Sequence, residues 1–304
     1  MMRAVMVRWN LFWFDPCPRA ALTLPRVAIC LVAALWFASF WSSAPAWLAT
    51  DGLLTQPLSK RMLATDQIAV WQVWSPLWFT QSASLLYGWL AAGVVLCIVA
   101  ASGLGGRLSL AALLLWVIAW ANRAVVLSGL VEPTLVACLG YLIVEPGLPL
   151  WHRSPSASSK WTAGVARRLL QTHCWLLIAA GLLSQLGGLV WWRGEGVWWL
   201  AAAGRSNLIR IEQLRGHPLV VNGLSHAVIV VQILALWLLT LSAARPLGIA
   251  CGMLVAIVYG GVADHGLFAA LLLAMLLSYC QLRERGNREY NRAPTCNPAQ
   301  SEIP

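Results

Sequence analysis

Long apolar runs separated by short, arginine-bearing polar segments organise this chain from one end to the other. A helix that crosses a bilayer needs about 20 mainly apolar residues. Runs of that kind occupy 27–49, 82–102, 108–128, 169–191 and 219–243. The run at 131–150 is weaker, because Glu132 and Glu145 limit its clean length. The run at 247–282 is too long for one crossing and is interrupted at Gly260-Gly261 and at Asp264-His265-Gly266, so it reads as a tight helical hairpin. The pattern predicts an all-α, polytopic transmembrane helix bundle of about eight spans, with six or seven as the alternatives.

The polar stretches predict the organisation. Residues 1–148 form an N-terminal half with the first four spans, 149–168 a linker containing the flexible SPSASSK, 169–282 a C-terminal half with the last four spans, and 283–304 a disordered tail. Between the first two spans, AVWQVWSPLWF at 69–79 reads as an aromatic segment lying on the membrane surface. The loop at 193–218 carries RIEQLR, which reads as a short surface helix.

Composition sharpens this picture. The chain is 60% hydrophobic and only 11% charged, against about 25% charged in soluble domains. Many of its 19 tryptophans, among them Trp41, Trp47, Trp78, Trp151, Trp161, Trp191 and Trp192, fall at span ends, as an interfacial belt requires. The formal charge of +10 sits mostly in short inter-span segments. It points to membrane lipids as partners and away from nucleic acid. With the N-terminus in the cytoplasm and eight spans, Arg19, Arg26, Arg107, Arg167, Arg168, Arg245 and the basic tail all fall on the inner side. The expected location is the cytoplasmic membrane with both termini cytoplasmic. Ala44-Pro45-Ala46 imitates a signal-peptidase site, but the long apolar stretch and the extended Trp-rich basic region before it favour an uncleaved first span. The eight cysteines include no CxxC pair, and most lie within apolar runs and read as small hydrophobes, with no disulfide framework and no thiolate metal site.

Chemistry has to come from the polar residues inside the runs. Gln171, Cys174, Ile178, Gly181, Gln185 and Gly188 share one helical face; His173, Leu177, Ala180 and Ser184 line the next. Asn222, Ser225, Ile229 and Gln232 form a similar face on the following span. Such faces serve either interhelical hydrogen bonding or a cavity. The candidate pocket-lining residues are therefore Gln171, His173, Ser184, Gln185, Asn222 and Gln232, with His173 and Ser184 as candidates for catalysis. Those two cannot pair directly, since eleven residues of helix separate them by about 16 Å. Gln232 calls for a partner, for which Gln185 or Gln171 are the choices, and His226 reads as an interfacial histidine. Arg123, one and two turns after Trp120 and Trp116, is explained by cation–π support or snorkelling. Gly248 and Gly252 match the GxxxG pattern of a close helix crossing. Asp264-His265 lacks the third ligand of a metal site. There is no HExxH, P-loop, GxSxG or GxGxxG, and isolated intramembrane carboxylates are scarce.

The order of these features resembles a known family. A basic entry, Gln171, Ala180-Gly181-Leu182, a glycine pair at Gly187-Gly188 and Trp192-Arg193-Gly194 are similar to the HTTM (horizontally transferred transmembrane domain) proteins, relatives of the membrane part of vitamin K-dependent gamma-glutamyl carboxylase. The opening WFDPCPRAALTLPR and the later SHAVIVVQILAL look like the same family. The resemblance implies a buried lysine, the base for quinol oxidation in the carboxylase, at the position held here by Ser184, and a glutamate where this chain has Gln232. A serine without a partner is no base, and an amide does not titrate. Loss of both ionisable groups together avoids one unpaired buried charge. The expected function is thus a non-catalytic or degenerate member that keeps a pocket for a quinone or lipid and serves as a binding or maturation partner. The alternatives are an active enzyme of the carboxylase type, working on a quinol or on a peptide presented at the external face through His173 and the 191–199 segment, and a small-molecule or lipid transporter.

Overall fold

The computed structural model describes residues 2–63, 75–79, 82–151, 159–203 and 215–280. The predicted interfacial stretch at 69–74, most of SPSASSK, most of RIEQLR and the tail at 283–304 lie outside the described residues. Helix α1 (Met2–Phe14) precedes a two-residue strand, Cys17–Pro18, which pairs antiparallel with Ser159–Lys160. The remaining helices are α2 (Thr23–Ser39), α3 (Ala44–Leu48), α4 (Gln56–Leu63), α5 (Ala83–Ser102), α6 (Arg107–Arg123), α7 (Val131–Val144), α8 (Trp161–Leu186), α9 (Leu189–Trp192), α10 (Gly196–Ala203), α11 (Pro218–Thr240), α12 (Arg245–Gly261) and α13 (Gly266–Leu276). Four segments are long and apolar enough to cross a membrane: Arg19–Ser39, Ala83–Ser102, Trp161–Leu186 and Pro218–Thr240. The other apolar runs form the shorter α6, α7, α12 and α13.

Local chemistry sets these ends. The run predicted at 27–49 stops as a helix at Ser39, and Pro45 opens the separate α3 in its first turn. Pro146 forces Glu145 into extended backbone (φ −151°, ψ 111°), so α7 ends at Val144 and 145–150 is loop. Helix α8 begins at Trp161, within the segment read as linker, and stops before Gly187-Gly188. The hairpin expected within 247–282 is present as α12 and α13, joined through Asp264 in the left-handed region (φ 58°).

Side-chain bonds fix which helix ends lie together. At one end the Arg26 guanidinium, buried in α2, donates to the carbonyls of Pro146 (2.6 Å), Leu148 (2.9 Å) and Ala101 (3.2 Å). Beside it Arg19 pairs with Glu145 at 2.7 Å, Thr162 donates to the other Glu145 oxygen at 2.9 Å, and Arg107 reaches the Val144 carbonyl at 2.6 Å. Arg167 and Gln171 of α8 both donate to the Ser278 carbonyl just past α13 (2.7 and 2.9 Å). Arginines dominate this basic end. At the opposite end the Trp36 indole donates to Glu132, and Arg123 donates to the Leu54 and Leu48 carbonyls (3.0 and 2.9 Å) and to the Ser59 hydroxyl (2.7 Å). Arg123 is therefore held by backbone carbonyls from the segment after α2, where cation–π support or snorkelling was expected. The main helices alternate in direction between these two ends.

A single buried core runs through both halves of the chain. Neighbouring helices pack in the order α2, α5, α6, α7, α8, α11, α12, α13, and α13 closes the circuit on α2 while also touching α7 and α8. Helix α13 is short and apolar on every side, and its Ala269, Leu271, Leu272, Ala274 and Met275 are all buried. A helix without a polar face is stable when surrounded, and its neighbours supply that surrounding. The outer faces expose Leu31, Leu115, Leu183, Val230, Trp237 and Leu254, among others. An apolar exterior of this extent fits lipid rather than water.

Candidate functional site

The polar residues expected to line one pocket are distributed over several contacts. Gln171 is buried and satisfied: it accepts from Arg168 at 3.0 Å and donates to the Ser278 carbonyl, and its own carbonyl accepts from the Tyr279 hydroxyl at 2.7 Å. His173 turns toward α7, where its Nδ1 lies 3.0 Å from the Tyr141 hydroxyl. Ser184 is exposed and makes no bond to Gln232. Gln185 and Gln232 are both buried, each with an amide oxygen that has no partner among the described residues. Gln232 lies beside Tyr259 of α12 and makes no bond to Gln171, which is engaged elsewhere. Asn222 is exposed and packs against Gly194, whose φ of 76° and lack of a Cβ both favour glycine. His226 is exposed and bonds the Asn222 carbonyl one turn back at 2.9 Å.

Gly181 has a concrete reason. The Tyr259 hydroxyl lies against it so closely that a Cβ there would collide with the phenol. The face spaced through Gly181 thus packs on α12, with the neutral groups Tyr259 and Gln232 beside it. The candidate position for a family lysine, Ser184, points away from that cluster. One residue along a helix turns a side chain by about 100°, which separates exposed Ser184 from buried Gln185.

A different set of residues forms a cleft at the basic end, between α8, α11 and α12. It has a volume of about 250 Å³ and is lined by Arg168, Gln171, Thr240, Arg245 and Tyr279, with Phe12 and Trp175 as apolar walls. Arg168 is fixed in place: its Nε donates to the Phe12 carbonyl at 3.1 Å, its guanidinium lies 4.7 Å from the Phe12 ring centre, and it bonds Gln171. Arg245 differs. Its Nε is buried without a partner, and its side chain makes no hydrogen bond or ion pair among the described residues. Arg167 and Arg168 add like charge nearby, against Asp15 as the opposing acid. From the cleft an apolar groove of about 370 Å³ continues along α8 and α11, sharing Trp175 and Thr240 and passing Leu182, Ile233, Leu236 and Trp237. The Trp175 indole bridges the two helices by donating to the Leu236 carbonyl at 3.1 Å.

Comparison with known protein families, curated proteins and solved structures finds no match. The site is therefore read from its own geometry. Of the residues in this cleft, the sequence pattern singled out only Gln171. Arg168 and Arg245 were legible as basic residues at span ends, but their meeting depends on the packing of α12 against α11 and of α11 against α8.

Proposed function

We propose that the chain is an eight-span membrane protein, with four long and four short crossings, whose basic end faces the cytoplasm and whose α8–α11 groove holds an anionic phospholipid. The unpartnered Arg245 guanidinium at the mouth of an apolar groove carries this reading. A phosphate between Arg245 and Arg168 neutralises like charges that Asp15 offsets only in part, through charge-assisted hydrogen bonds. Thr240 offers a further hydroxyl, and the acyl chain follows Leu182, Leu236 and Trp237 along the groove. Two guanidinium groups favour a phosphate over a quinone, whose carbonyls carry no charge.

In this reading the sequence resemblance to the HTTM proteins, without their acid–base pair, fits a pocket that binds rather than reacts. Exposed Ser184, Gln232 against Tyr259, and His173 against Tyr141 supply no proton acceptor facing the cleft. The role is lipid-dependent binding or maturation of a partner rather than quinol oxidation. Native mass spectrometry of the full chain released from mild detergent tests the lipid. The expected spectrum carries an anionic phospholipid adduct that disappears in Arg245→Gln. An absent adduct, or one retained equally by the variant, overturns the reading.

A further inference from the structure

At the end opposite the lipid cleft, a second cavity of about 570 Å³ opens between α2, α7 and α13. Trp36, Phe40, Glu132, Asp264, His265 and Phe268 are among its walls. Glu132 is 94% buried, being 6% exposed, and lies in the first turn of α7. Its Oε1 accepts from the Trp36 indole at 2.9 Å and its Oε2 from the Gly129 amide at 2.7 Å. Two N–H donors on two different oxygens suit a carboxylate. Both donors are neutral, and Glu132 has no cationic partner among the described residues. The helix N-terminus offsets only part of a full charge, and a buried charge is stable when a counter-charge meets it. Asp264, exposed and held in left-handed backbone at the hairpin tip, is a second acidic residue of the cavity wall, and its side chain makes no hydrogen bond or ion pair among the described residues.

We propose that this cavity binds an organic ammonium ion. Two carboxylates supply the counter-charge. Trp36, Phe40 and Phe268 supply aromatic surface, which attracts cations through the ring quadrupole and suits an alkylated ammonium. No group of three or more His, Cys, Asp or Glu side chains stands ready for a metal among the described residues, and the aromatic walls suit an organic cation better than a hydrated metal ion. The cavity volume falls in the range of about 300–1,000 Å³ usual for small-molecule sites. The ammonium reaches it either as a soluble amine or as the headgroup of a lipid in the adjacent leaflet.

The test uses the full chain in phosphatidylglycerol nanodiscs, with choline as the probe and saturation-transfer NMR on its N-methyl protons as the readout. The uncharged carbon isostere 3,3-dimethylbutan-1-ol serves as the control. The expected result is transfer to choline at least about fivefold stronger than to the isostere. Asp264→Asn, which disturbs no hydrogen bond, and Glu132→Gln each reduce it to the level of the isostere. Equal transfer to the two probes overturns the proposal, as does undiminished choline transfer in both folded variants. Nanodiscs of phosphatidylcholine then separate the sources. Loss of the free-choline signal assigns the site to a lipid headgroup, retention assigns it to a soluble amine, and either outcome supports cation recognition.

Discussion

Two buried glutamates mark the two ends of α7, and their surroundings differ. Glu145, at the C-terminal end, pairs with Arg19 at 2.7 Å and accepts from Thr162, between the Val144 carbonyl that holds Arg107 and the Pro146 carbonyl that holds Arg26. Glu132, at the N-terminal end, meets neutral donors and a cavity. The same residue type at similar burial is thus a structural rivet where the chain provides a cation and an open demand where it does not. The arginines repeat the contrast. Arg19 and Arg26 are consumed by the fold, whereas Arg245 lines a cleft and its Nε has no partner among the described residues. Charge the chain leaves uncompensated marks both proposed sites, with opposite sign at opposite ends.

Breaking the rivet gives the largest expected effect. Arg19→Met strands the buried Glu145 carboxylate and is expected to cost about 3–5 kcal/mol, read from thermal unfolding in detergent. Adding Glu145→Leu to it recovers most of that loss, because the pair is then replaced rather than halved. Next comes Gly181→Ala, which drives a methyl group into the Tyr259 phenol and is expected to cost about 1–3 kcal/mol. Tyr259→Phe in the same chain relieves the collision, and the double-mutant cycle measures the coupling. Glu132→Gln and Asp264→Asn sharpen the comparison from the other side. Asp264→Asn is expected to leave stability within about 0.5 kcal/mol, because that side chain is exposed and makes no hydrogen bond among the described residues, while removing the cation response. The smallest expected change is in chemistry: Ser184→Lys with Gln232→Glu gains no oxidation of an added hydroquinone, because residue 184 faces outward and residue 232 faces Tyr259. Hydroquinone oxidation by that double variant would mean that the two positions do meet.

How much of this was legible in the sequence follows from the range of each interaction. The apolar runs form helices, four of them long enough to cross a membrane where about eight spans were expected, and the break at Asp264 is the tip of a hairpin, because span length and turn residues act locally. The run at 27–49 ended early because Pro45 begins a new helix, a signal present in the sequence but outweighed by continuous hydropathy. The centrality of α13 was not legible. A helix apolar on all sides reads the same whether protein or lipid surrounds it. The polar face through Gln171, Gly181 and Gln185 was correctly phased by the helical period, and all three face neighbouring helices or the core. Their common pocket was not legible, because Gln171 reaches the end of α13 and Gly181 receives Tyr259 from α12. Both clefts join residues far apart in the chain, Arg168 with Arg245 and Glu132 with Asp264. No periodicity reports such meetings.

The most direct measurement crosses the two ends in one experiment. Unmodified protein, Arg245→Gln and Asp264→Asn are compared by native mass spectrometry after identical extraction. If uncompensated charge selects the ligand, the anionic phospholipid stays with the unmodified chain and with Asp264→Asn and is lost from Arg245→Gln alone. Equal retention by all three proteins would contradict the account.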